Sequence, residues 1–360
     1  MMRKKLLFIL TFAALLCALC LCVFAKETNI KVADDFEYWI TKNDTVGIYK
    51  YKGADQTDCV IPVQIDGRDV TVISDRFQNS SRFKTLLIPK TVVKIPDCFL
   101  GKSVFLKSIT VDEENPNYSS LDGVLFNKEQ TRLIAFPAAK GRMRYTVPNT
   151  VKEIAPCAFR YAKMPKVKLQ SSVETIGQHA FDFVQSEQII LAEGLKEIGS
   201  GAFYDNGQSK MHCIFVPKSV TSIGSLVFGG RAFSQTDPFI VYGYSGSYVE
   251  AYCKKAGINF VAVDLPAPKK TTVQGGELCA TVTYRKELNV GGFQVKYVQN
   301  GQTHVETVPV SIASNKVTKT IDGLEAGKLK VKVRVFRTCA GVNVYSPWAA
   351  QTVTVKPQAV

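Results

Sequence analysis

The sequence predicts a mainly β chain in two parts: a solenoid of coils about 22 residues long, then an all-β sandwich. Two observations carry this. Large apolar residues recur at an interval of 22 through the middle of the chain. Past Lys270 that period stops, and short runs of strict alternation replace it. A period of this length belongs to units that stack on one another because none can fold alone.

Residues 1–25 read as an export signal. Arg3, Lys4 and Lys5 precede the uncharged apolar run Leu6–Phe24, and Val23-Phe24-Ala25 offers small residues for cleavage after Ala25. The other reading is a retained anchor, since about 19 apolar residues could just span a bilayer. After signal removal no transmembrane segment is expected. A lipid-modified cysteine is disfavoured, because Cys17, Cys20 and Cys22 all follow leucines. Residues 26–72 then form an N-terminal cap and first coil. FEYWITKNDTVGIYKYKG alternates around Asn43-Asp44 and reads as a hairpin over the exposed solenoid end.

The solenoid proper is assigned to residues 73–264. With Ile95, Ile154, Ile176, Ile198 and Ile223 as origins, the slot seven earlier holds Ile88, Val147, Leu169, Leu191 and Val216. The slot three earlier holds Val92, Val151, Val173, Leu195 and Val220, and the slot nine earlier Leu86, Tyr145, Val167, Ile189 and Ile214. Phe159, Phe181, Phe203 and Phe228 follow five later. Each coil therefore supplies one short strand, stopped by Pro89, Pro148 or Pro217, and an Ala-Phe wedge. About seven coils at roughly 4.8 Å spacing are expected. From Ile95 to Ile154 the interval is 59 residues, and the excess at 112–137 reads as an inserted hairpin. GYSGSYVEAYCKKAGINFVAV supplies a terminal capping helix and a last strand.

The phrases IPKTVVKIPDCF, VPNTVKEIAPCAF and VPKSVTSIGSLVF resemble the BspA-like leucine-rich repeats of bacterial surface proteins. DEENPNYSSLDGVLFNK and GYSGSYVEAYCKKAGINFVAV are similar to that family's inserted hairpin and terminal helix. The resemblance covers Phe36 to Val263. It implies an exported, secreted or envelope-associated binding protein, and several relatives are described as adhesins for host matrix proteins. The family has no common catalytic residues or cofactor to carry over.

Residues 265–270 read as a linker, and residues 271–356 as a sandwich. GGFQVKYVQNG and IDGLEAGKLKVKVRVFRTCAGVNVYSPWA resemble fibronectin type III modules attached to bacterial surface proteins. Two positions depart from that pattern: Tyr284 stands where a Trp is usual, and Leu329 where a corner Tyr is usual.

Net charge is +14. Residues 26–264 carry 29 Lys and Arg against 26 Asp and Glu, while residues 265–360 carry 13 against 5. The basic surplus lies in the C-terminal part and suits anionic cell-wall polymer or acidic glycan; nucleic acid is not expected outside the cell. Seven cysteines follow the signal, widely spaced, with no CxxC, which reads as neither a disulfide framework nor a zinc site.

Four constellations are candidates. Cys98, Cys157 and His179 share the slot three after the central Ile, so Cys157 beside His179 is a minimal thiolate pair; a packed slot is the plainer reading. Asp112-Glu113-Glu114 with Asn115 is an acidic turn, read as calcium site or solvated loop; His212 and His304 lack ligand partners at metal spacing. Outward strand positions form two ladders. One holds Leu87, Thr146, Lys168, Ile190 and Phe215, the other Thr85, Arg144, Lys166, Gln188 and Cys213. Arg144, Lys166, Lys168, Ile190 and Phe215 are the expected ligand surface, against the reading that this face is merely covered or incidental. Last, Lys328, Lys330, Lys332 and Arg334 share one face of a strand, as a polyanion-attracting stripe or a solubilising one. The functional expectation is binding of an extracellular protein or glycan, without metal or cofactor. A self-associating envelope component is the alternative, and a thiol enzyme the remote one.

Overall fold

The computed structural model describes residues 30–80, 82–141, 144–205, 210–230, 239–285, 290–311 and 315–359. The expected signal, 1–25, lies outside them. The chain is mainly β, with a β-solenoid of about 9 turns. It divides into two compact units that interleave in sequence, one of residues 1–141, 150–163 and 177–184, the other of the remainder.

In the first unit, Phe36–Ile40 and Val46–Tyr51 pair antiparallel, with Ile40 opposite Val46. Val46–Tyr51 then pairs parallel with Arg68–Ile73, so the hairpin covers a solenoid edge that would otherwise be open. Asp58–Val60, Thr85–Ile88 and Ser108–Val111 follow as a parallel stack. Cys59, Leu86 and Ile109 form its inward row and are buried. Tyr118–Leu121, Val124–Asn127 and Arg132–Ala135 form an antiparallel meander, and its last strand returns to the repeat by pairing parallel with Glu153–Ile154.

A regular coil begins just before the stretch assigned to the insertion and runs into it. Ile109 and Val111 occupy the slots nine and seven before Tyr118, and Asn115 fills the slot where other coils carry valine or leucine. Asn115 is fully buried and bonded on both sides. Its Nδ2 donates to the Pro89 and Val92 carbonyls, each at 2.9 Å, and its Oδ1 accepts from the Asn117 and Tyr118 amides, each at 2.9 Å. Asn115→Val restores the aliphatic residue usual at this slot, yet is expected to cost about 2–3 kcal/mol by stranding those buried groups. Denaturant melts of the variant and parent check this; a variant as stable as the parent refutes it.

In the second unit, Arg144–Thr146, Lys166–Lys168 and Gln188–Ile190 run parallel and in register, with Tyr145, Val167 and Ile189 turned inward. Each coil also has a second strand that the sequence reading lacks. Thr175–Ile176, Glu197–Ile198 and Ser222–Ile223 pair parallel, placing Ile176 on Ile198 and Ile198 on Ile223.

Two slots explain the turn that follows. A Cβ on Gly224 would lie 2.5 Å from the Ser200 backbone nitrogen, and one on Gly177 would lie 2.5 Å from that of Pro156. These glycines therefore provide clearance between successive coils. The left-handed turn is made two residues later. Cys98, Cys157, His179, Gly201 and Leu226, all three after the central Ile, have φ of 60°, 58°, 55°, 63° and 52°. Side chains there leave the core: Leu226 is 64% exposed.

Cys213–Phe215, Ile240–Gly243 and Asn259–Ala262 continue as a parallel sheet. The helix Tyr248–Ala256 buries Val249 and Cys253, one turn apart, and stops at Gly257 in the left-handed conformation.

The C-terminal part has two antiparallel sheets. One comprises Thr271–Gly276, Cys279–Arg285 and Lys316–Asp322. In the other, Gly327–Cys339 pairs with Gly292–Gln299, Val342–Tyr345 and Ala349–Val355, and Gln302–Pro309 flanks Gly292–Gln299. Val282, Tyr284, Phe293, Val295, Val331 and Val333 belong to the single core between them. Leu265, the first residue of the segment read as a linker, is buried in this same core, while Pro266, Lys269 and Lys270 are exposed.

Candidate functional site

The solenoid face expected to bind ligand comprises outward residues in register. Arg144 lies beside Lys166 and Lys166 beside Gln188; Thr146 lies beside Lys168 and Lys168 beside Ile190. Adjacent parallel strands are about 4.8 Å apart, so the three cations lie within one small area. Arg144 and Lys168 are exposed, Lys166 and Ile190 half-buried. None of the three cations has a carboxylate partner among the described residues.

Phe215 requires correction. It is 3% exposed and clusters with Val263, Cys339 and Val344. Gln188, in the same ladder as Arg144 and Lys166, donates its amide to the Ala340 carbonyl at 3.1 Å. The turn between Gly327–Cys339 and Val342–Tyr345 therefore covers the C-terminal end of this face. What stays open is the patch of Arg144, Lys166 and Lys168, with Ile190 at its margin.

The thiolate pair is also corrected. Cys157 is disulfide-bonded to Cys98, with Cα atoms 5.1 Å apart. Both cysteines occupy the same left-handed turn slot, three after the central Ile. His179 instead approaches Asp182, Nδ1 to Oδ2 at 3.3 Å, and Arg160 Nε lies 3.1 Å from the same oxygen. Asp182 is buried, so the Arg160 guanidinium compensates a charge removed from water. Tyr161 and Phe183 stack at 5.2 Å, and the Arg160 guanidinium lies over both rings.

Four of the free thiols are not activated either. Burial pushes those of Cys59, Cys213 and Cys339 upward, and that of Cys253 up to about 12. A raised pKa keeps them protonated and weakly nucleophilic. Among the described residues no group of three or more His, Cys, Asp or Glu is arranged to hold a metal ion. In the acidic turn, Glu114 pairs with Lys90, and Asp112 Oδ1 accepts the Glu114 amide.

Stacked parallel coils with an inward aliphatic and phenylalanine row define a class, the parallel β-solenoid. Residues 142–237 match, in 6 copies, the family described as BspA type leucine rich repeat region. Among solved structures, the chain is similar to a leucine-rich repeat protein from Eubacterium ventriosum ATCC 27560, at 31% identity and a TM-score of 0.38. That match covers 53% of this chain and 43% of the other, so the chain spans less than half of that protein's length. The pneumococcal vaccine antigen PcpA matches at 15% identity over 67% of this chain and 100% of its own, with a TM-score of 0.43. A leucine rich cell surface protein from Faecalibacterium prausnitzii A2-165 matches at 17% identity over 63% and 98%, with a TM-score of 0.34. A search of curated proteins finds no match. No helix among the described residues is long and apolar enough to cross a membrane.

Proposed function

We propose that this is an extracellular or envelope-associated binding protein whose solenoid presents Arg144, Lys166, Lys168 and Ile190 to an extracellular protein or glycan. The observation that carries the reading is the in-register cluster of three cations without carboxylate partners, next to an aliphatic residue. A surface selected only for solubility mixes both signs of charge. Export is supported by the leader read in residues 1–25 and by a disulfide, which persists in oxidising compartments. The C-terminal part belongs to this reading as a fibronectin type III-like module, from its sequence resemblance and its sheets of three and of five strands.

The test is a panel of extracellular-matrix proteins and glycans probed with the purified chain. Lys166→Glu with Lys168→Glu is expected to weaken binding to the captured ligand by about tenfold or more, with the melting temperature unchanged. Undiminished binding would remove this face as the site.

A further inference from the structure

The outer face of the larger C-terminal sheet has a charge pattern that solubility does not explain. Val331, Val333 and Val335 point into the core, which leaves Lys328, Lys330, Lys332 and Arg334 on the opposite face. Lys296 stands directly across from Lys332. A like-charged pair facing across two strands is destabilising. The surrounding outward positions hold Gln294, Val298, Thr303, Val305 and Thr307 on one side, and Ala350, Thr352 and Thr354 on the other. None of these positions carries a carboxylate.

The row has one rigid end. Arg334 donates from Nε and Nη2 to Gln294 Oε1 at 2.9 and 2.8 Å, and Gln294 donates in turn to Thr307 Oγ1 at 2.9 Å. Its guanidinium lies 3.9 Å from the Tyr345 ring centroid and 4.4 Å from that of Trp348. The lysines form the other end. Lys296, Lys328, Lys330 and Lys332 line a groove of about 440 Å³ with Val298 and Thr303. No hydrogen bond or ion pair occupies these four ammonium groups among the described residues.

Successive cations along the strand are about 7 Å apart. A linear polymer with one negative charge per short, flexible, unbranched unit can follow that row. The rings of Tyr345 and Trp348 are already taken by Arg334, and Tyr297, the aromatic residue lining the groove, is 8% exposed and stacked on His304 at 4.9 Å, which leaves little ring face for a sugar. We propose that this face docks a poly(polyol phosphate), a phosphodiester-linked polymer of the cell envelope, with Lys296, Lys328, Lys330, Lys332 and Arg334 as phosphate partners. The C-terminal part then holds the protein at the envelope, independently of the ligand taken by the solenoid.

Titrating the purified chain with synthetic poly(glycerol phosphate) tests this. Binding is expected, and it should weaken steeply with added salt as counterions compete. Lys330→Glu with Lys332→Glu should reduce affinity by about tenfold or more. The same double variant should melt no lower than the parent, because a carboxylate at position 332 would face Lys296 and replace repulsion by attraction. Lys166→Glu with Lys168→Glu on the solenoid should leave polymer binding intact, which separates this proposal from the solenoid reading. Four outcomes overturn it: no binding by the parent chain, full binding by the sheet variant, loss of binding in the solenoid variant, or equally tight binding to heparin or duplex DNA of matched charge.

Discussion

Replacing Cys98 and Cys157 by alanine is expected to destabilise the first unit by about 4 kcal/mol, because the bridge closes a loop of sequence separation 59. In the chain-entropy view the bond acts mainly on the unfolded ensemble, and the effect grows slowly with loop length. This loop contains the coil of Asn115 and the whole meander, segments that break the repeat's regular stacking. Alanine keeps a Cβ at both left-handed positions, so the substitutions isolate the covalent link from the backbone preference. Thermal or urea melts with and without a reductant measure the increment. The parent should lose it on reduction, while the double variant should not respond. A parent melt unaffected by a reductant that demonstrably frees both thiols would show that the bridge contributes nothing.

Phe159→Ala is expected to cost about 3–5 kcal/mol. Phe159 is fully buried and stacked on both sides, against Phe136 at 5.0 Å and Phe181 at 4.8 Å, with ring planes within 22° and 10°. Truncation opens a cavity bordered by two further rings. In a stacked repeat each coil draws its stability from its neighbours, so the loss should spread beyond the mutated coil. Amide exchange should show reduced protection around both Phe136 and Phe181, and denaturant melts should give the total. A cost below about 1 kcal/mol, as for ordinary surface substitutions, would contradict a continuous phenylalanine core.

Much of the solenoid was legible in the sequence because its contacts are periodic. The aliphatic slots at Ile176, Ile198 and Ile223 and the wedge phenylalanines recur at nearly constant intervals, and the structure stacks them accordingly. Where chemistry departed from the pattern the reading failed. The coil of Ile109 and Val111 went unrecognised, and its part from Asp112 on was assigned to the insertion, because Asn115 breaks the apolar slot; its apolar residues nine and seven before Tyr118 were the available signal. The second strand of each coil was missed because a two-residue strand is too short to show alternation. The Cys98–Cys157 pair was missed because an interval of 59 is no multiple of 22, although both residues sit in one slot. That slot looked like packing space, yet it is a left-handed turn that sends side chains outward.

The candidate surfaces were legible as faces but not as open or closed. Alternation alone placed Lys166, Lys168 and Ile190 outward, and likewise the row from Lys328 to Arg334. It could not show that Phe215 is covered by Cys339 and Val344, nor that Lys296 stands opposite Lys332. The sequence by itself determined the coil period, its core and the direction of each side chain on the first strand of a coil, because those depend on local geometry and on the next identical unit. Only the tertiary structure decided which outward residues meet water, because that depends on segments far apart in the chain coming to rest on one another, and no period records such a meeting.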